Sequence, residues 1–69
     1  MEDDYRQVKS WRKGLDLTQK QVAEEIGVTI THYNQIETGK RKPGIKTAGK
    51  LAEFYGVPLT KIIVLFYKD

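Results

Sequence analysis

Residues 17–38 read LTQKQVAEEIGVTITHYNQIET, and the punctuation inside this stretch decides the architecture. Thr18 stands before a run in which Val22, Ala23 and Ile26 share one helical face. Gln21 follows it by three positions, so hydroxyl and amide can satisfy each other's backbone N–H groups as a capping box. The spacing predicts a helix over 19–26. Gly27 comes next, where the chain must adopt a positive φ to leave the helix. Thr29 then caps a second helix, predicted over 30–38, with Tyr33 and Ile36 turned inward and His32 as a weak box partner. Val28, just before the cap, is placed as a hydrophobic staple for Tyr33, and Gly39 closes the helix. Two short helices joined by the tight turn Gly27-Val28-Thr29 form a helix-turn-helix.

Outward from this pair the sequence reads as all-helical, without sustained two-residue alternation. A first helix is predicted over 4–13. Asp3 or Asp4 caps it, since early acids suit the positive helix end. Val8, Trp11, Arg12 and Leu15 share its inner face, an odd place for Arg12, and Gly14 ends it. A basic loop covers 40–44, where Pro43 forces the preceding residue away from helix. A fourth helix is predicted over 45–55, with Ile45, Ala48, Leu51, Ala52 and Tyr55 at core spacing and Gly56 as its stop. Pro58 suits the first turn of a fifth segment. There Leu59, Ile62, Ile63 and Phe66 define one helical face, and Val64, Leu65 and Tyr67 fall off it. The β-branched run Ile62-Ile63-Val64 also permits a short strand, with helix the preferred reading.

Composition narrows the function. Sixty-nine residues allow one domain, spanning 1–69. Such a chain buries roughly 60% of its unfolded surface, which leaves little room for a large enzyme cleft. There is no Cys, hence neither disulfide nor Cys-based metal site. The nine carboxylates come without a metal-ligand cluster, a nucleophile–base pair or a Gly-rich phosphate loop, so no enzyme and no cofactor is expected. His32 is the sole histidine and cannot build a metal site alone. The longest apolar run is six residues, 62–67, against the ~20 that span a bilayer. The acidic start at Glu2, Asp3 and Asp4 is the opposite of a secretion signal, so a cytoplasmic location away from membranes is expected.

The net charge is only +3, yet Lys40, Arg41, Lys42, Lys46 and Lys50 fall in an eleven-residue stretch without an acid. Such a patch favours a polyanion. In a DNA-binding helix-turn-helix the second helix enters the major groove and its N-terminal residues reach base edges. Thr31, His32, Asn34 and Gln35 are polar and available for that role.

The run from Leu17 to Thr29, continuing through Ile36-Glu37-Thr38-Gly39 to Pro43, resembles the phage repressor and Cro type of helix-turn-helix. Leu51-Ala52 and Gly56-Val57-Pro58-Leu59 match the later helices of that family, and the likeness covers about residues 8–63. It implies a compact five-helix, repressor-like domain that binds double-stranded operator DNA, usually as a homodimer. It also implies a partner for Arg12: Glu37 stands where the family pairs a carboxylate with the first helix. Gln19 falls at a phosphate-contacting position, and the free N–H groups of a helix start agree with that. Ile30, Thr31 and Gln35 fall at base-edge positions, with Asn34 reaching a base or a phosphate. From their own positions and chemistry, Thr29, His32, Lys40, Arg41, Lys42 and Thr47 are further expected phosphate contacts. Ile30 departs from the polar residue common at its place. Ala48 and Gly49 stand where larger apolar residues are common, and Gly49 reads either as a close helix approach or as a weak point.

Val64, Leu65 and Tyr67, off the core face of the last segment, are the expected dimer surface, because adjacent exposed apolar residues mark interfaces. A second class of function is a protein-interaction module, such as an antitoxin or an adaptor to a larger regulator. The apolar C-terminal segment motivates it.

Overall fold

The computed structural model describes residues 4–67. These form five helices: α1 (Arg6–Gly14), α2 (Gln19–Ile26), α3 (Ile30–Glu37), α4 (Ile45–Tyr55) and α5 (Leu59–Tyr67). No strand occurs among the described residues, so the last segment resolves as helix.

The start signals work as their chemistry requires. Thr18 Oγ1 accepts from the Gln21 N–H at 3.1 Å, and Gln21 Oε1 accepts from the Thr18 N–H at 2.8 Å. Thr29 Oγ1 accepts from the His32 N–H at 3.0 Å. Gly27 and Gly56 carry α2 and α4 into the left-handed region, with φ of 77° and 68°.

Helix α1 differs from its expected form at both ends. It begins at Arg6, and the Asp4 carboxylate reaches forward to accept from the Arg6 N–H at 3.0 Å. Asp3, the other capping candidate, lies outside the described residues. Gly14 remains helical, and the left-handed turn falls at Asp16, φ 60°. Asp is among the few side chains that tolerate this region. Leu15 is therefore past the helix and exposed, not on the core face.

The core draws on every helix: Val8 from α1; Val22, Ala23 and Ile26 from α2; Tyr33 and Ile36 from α3; Ala48, Leu51 and Ala52 from α4; and Ile62, Leu65 and Phe66 from α5. Val28 packs against this cluster, in keeping with its staple position. Trp11, Phe54 and Tyr55 close one side, with ring centroids 5.5 Å apart for Trp11–Tyr55 and 5.1 Å for Phe54–Tyr55.

Two expectations are corrected here, and one of the two readings of Gly49 is closed. Leu65 is 5% exposed and belongs to the core, so it is unavailable to a second copy. Residues 62, 65 and 66 satisfy the helical period as well as 59, 62, 63 and 66 do. Packing of α5 on α4 chose the former, leaving Ile63 half-buried and Leu59 exposed. Ile45, read as core, is 72% exposed: as the first residue of α4 it lies at the rim of an open groove with Pro43, Ile63 and Tyr67. Finally, a Cβ at Gly49 would meet open space, so this glycine serves no close approach.

Candidate nucleic-acid interface

The two helices of the tight turn, α2 and α3, pack against each other, and α1 packs on α3. A buried ion pair joins α1 to α3. Arg12 Nε donates to Glu37 Oε2 at 2.7 Å and Nη2 to Oε1 at 3.2 Å, with a third bond from Nη1 to the Leu17 carbonyl at 2.8 Å. The Glu37 side chain is 1% exposed and that of Arg12 11%. The bidentate geometry matches planar fork to planar carboxylate. Arg12 thus ties α1 to the end of α3 and to the segment leading into α2.

Burial alone would push the Glu37 carboxyl up. Hydrogen bonds from Arg12, Tyr33 and Gln19 outweigh it and hold the carboxyl below its ordinary value. The bond to Glu37 raises Arg12, against the opposing effect of burial. Tyr33, expected only as an apolar anchor, also carries a polar role. Its hydroxyl lies 2.6 Å from that of Tyr55, and burial pushes both phenols up.

On the outer face of α3, Ile30, Thr31 and Asn34 are exposed, and His32 and Gln35 are half-buried. The Gln19 side chain is not free: its Nε2 donates to Glu37 Oε1 at 3.0 Å, and its Oε1 accepts from Asn34 Nδ2 at 3.4 Å. What α2 leaves for an anion is its N-terminal backbone, the N–H groups of Gln19 and Lys20 having no intrahelical acceptor.

The basic loop is fastened to α3. The Lys40 and Arg41 N–H groups both donate to the Gln35 carbonyl, at 2.9 and 3.2 Å. Lys40, Arg41 and Lys42 are exposed. Lys42 Nζ lies 5.2 Å from the centre of the Tyr67 ring, whose hydroxyl donates to the Pro43 carbonyl at 2.8 Å. Tyr67 therefore joins the end of α5 to this loop. Thr47 is half-buried in the first turn of α4. Lys50 sits apart: its Nζ is 3.6 Å from the point a Cβ on Gly27 would occupy, at the negative end of α2.

These parts form one surface: the exposed face of α3, the start of α2 and the basic loop. The sequence did not signal the Gln19–Asn34 bond, the paired phenols or the Tyr67 link, because each joins residues remote along the chain. Among the described residues no group of His, Asp and Glu is arranged to hold a metal ion, and no helix is long and apolar enough to cross a membrane.

A buried ion pair behind a short helix with an exposed polar face, flanked by a basic loop, defines the fold as a helix-turn-helix domain. Residues 8–62 match the helix-turn-helix family, and the chain belongs to that family in its Cro and C1 repressor branch. The cryptic phage CTXphi transcriptional repressor RstR of Vibrio cholerae is 39% identical over 56 residues, 81% of this chain and 50% of that protein. The uncharacterised HTH-type transcriptional regulator MJ0272 of Methanocaldococcus jannaschii is 37% identical over 62 residues, 90% of this chain and 91% of that one. The chain spans half the length of that RstR repressor. No solved structure matches it.

Proposed function

We propose that this chain is a transcriptional repressor that binds a pseudo-palindromic DNA operator as a homodimer, with α3 in the major groove. The observation that carries this reading is the exposed polar face of α3 beside a basic loop hydrogen-bonded to the same helix. Ile30, Thr31, Asn34 and Gln35 face base edges. Gln reads adenine through N6 and N7, and Thr and Ile pack on a thymine methyl. Gln19 contacts phosphate through its backbone N–H, and Thr29, His32, Lys40, Arg41, Lys42 and Thr47 contact phosphates through their side chains. These contacts set register and carry no sequence information. The repressor role is taken from RstR, whose name states it.

A second copy docks on the outer side of α5. Val64 and Tyr67 are 49% and 45% exposed there, beside a groove lined by Pro43, Ile45, Ile63 and Tyr67. A two-fold dimer sets its recognition helices one turn of DNA apart, ~34 Å.

Selection of duplexes from a random pool, followed by anisotropy titration at several salt concentrations, tests the proposal. A two-fold-symmetric enriched site with tight, salt-dependent binding is the expected result. No enrichment, together with a defined protein partner, would replace it with the interaction-module reading.

A further inference from the structure

The Gln19 and Asn34 amides form a relay that starts at a buried charge. Glu37, as an ionised carboxylate, can only accept hydrogen bonds. Its side chain is 1% exposed, so water does not stand in for a missing donor. Arg12 satisfies it from α1, and Gln19 Nε2 donates to Oε1 at 3.0 Å. That bond leaves the Gln19 amide one orientation, nitrogen inward and oxygen outward. The outward oxygen can only accept, and Asn34 Nδ2 donates to it at 3.4 Å. A Gln–Asn pair without the carboxylate would have two equivalent arrangements. The carboxylate removes one of them.

We propose that Glu37, acting through Gln19, orients the Asn34 amide so that Asn34 reads adenine and rejects guanine. This rests on the reading of α3 as the major-groove helix. With one Nδ2 hydrogen held by Gln19, Asn34 keeps its Oδ1 and its second hydrogen for the groove. One acceptor and one donor match the N6 donor and N7 acceptor of adenine. Guanine presents two acceptors, O6 and N7, and needs two donors from one amide. The hydrogen held by Gln19 is the one guanine would require. Gln19 and Glu37 are positioning residues in this scheme, and Asn34 alone touches the base.

The test uses the duplex selected from the random pool and all single base-pair variants of its half-site. Affinities are measured for the full chain, Asn34→Ala, Gln19→Leu and the double variant, with a thermal melt of each to establish folding. Gln19→Leu leaves Arg12 and Glu37 paired, and Gln19→Ala replaces it if leucine does not fold. Asn34→Ala is expected to flatten the preference at one A·T pair. Gln19→Leu lowers the preference for adenine over guanine at that same pair, on the order of tenfold, and leaves other positions unchanged. The double variant matches Asn34→Ala alone. Equal weakening on every duplex by Gln19→Leu, with adenine still preferred, would overturn the relay and leave the major-groove reading standing. If Asn34→Ala changes no base preference, Asn34 reads no base, and the relay falls with that part of the reading. If the pool yields no enriched duplex, operator binding itself is wrong.

Discussion

At the scale of single residues, Glu37 holds the most consequences. It is buried and satisfied by partners on two other helices, Arg12 on α1 and Gln19 on α2. Glu37→Ala strips Arg12 of its carboxylate in a site where water is scarce. Removing one member of a buried pair typically costs about 3–5 kcal/mol. A chain of this size has only about 3–10 kcal/mol of stability in total. Urea unfolding of Glu37→Ala is therefore expected to show a large loss, with a fraction already unfolded in buffer. The pH dependence follows from the lowered carboxyl. A group depressed in the folded state contributes fully above its ordinary pKa, and the contribution is lost as pH falls through the folded value. Thermal melts are expected to be flat near neutrality and to fall in acid, below about pH 4.5, the ordinary value for Glu. The exposed pair between Asp4 and Arg6 adds little, and salt screens it. Repeating the acid melts in high salt should leave the Glu37 limb in place.

At the scale of elements, two glycines behave oppositely. Gly49 lies inside α4 with open space where a Cβ would stand, and its φ is not positive. Gly49→Ala is expected to stabilise by about 1 kcal/mol, since glycine spends more backbone entropy in a helix. Gly39, just beyond α3, has φ +77°, and a Cβ there would come within 2.7 Å of the Tyr5 ring. Gly39→Ala is expected to destabilise by about 1–3 kcal/mol. Comparing both variants by chemical denaturation checks the pair. Opposite signs are the expected outcome, and a shared sign would refute the account of at least one. The caps belong to the same scale. Thr18, Gln21 and Thr29 act through partners three residues away, which is why the bounds of α2 were legible without a structure.

At the scale of the whole molecule, the acids around Phe54 and the cations of the basic loop belong to different elements. The acids Glu24, Glu25 and Glu53 surround Phe54 on α2 and α4, while Lys40, Arg41 and Lys42 follow α3. If the loop cations each neutralise one phosphate, replacing all three by Ala lowers the salt slope of log affinity by about 2.7, at about 0.9 per phosphate. A slope unchanged from the full chain would remove the loop from the interface. The proposed dimer makes a separate claim. Val64→Glu puts a charge on an exposed position of α5, so the fold is expected to survive. Sedimentation should then show monomer where the full chain shows dimer, and the half-sites should no longer be bound together.

The sequence by itself determined the helices and the turn. Their signals are local: caps three residues apart, glycines at positive φ, and apolar residues at helical spacing. The Arg12–Glu37 pair was legible through the family resemblance, and the structure places the two side chains in contact. Local period could not choose between faces that satisfy it equally. Packing of α5 on α4 turned Leu65 inward, and Ile45, at the very start of α4, was left at the rim of an open groove. Only the tertiary structure decided that Gln19 bonds Asn34 and Glu37, or that Tyr67 meets the basic loop. Those contacts join residues 15 or more positions apart, and hydrogen-bond geometry between remote side chains exists only once the helices have docked.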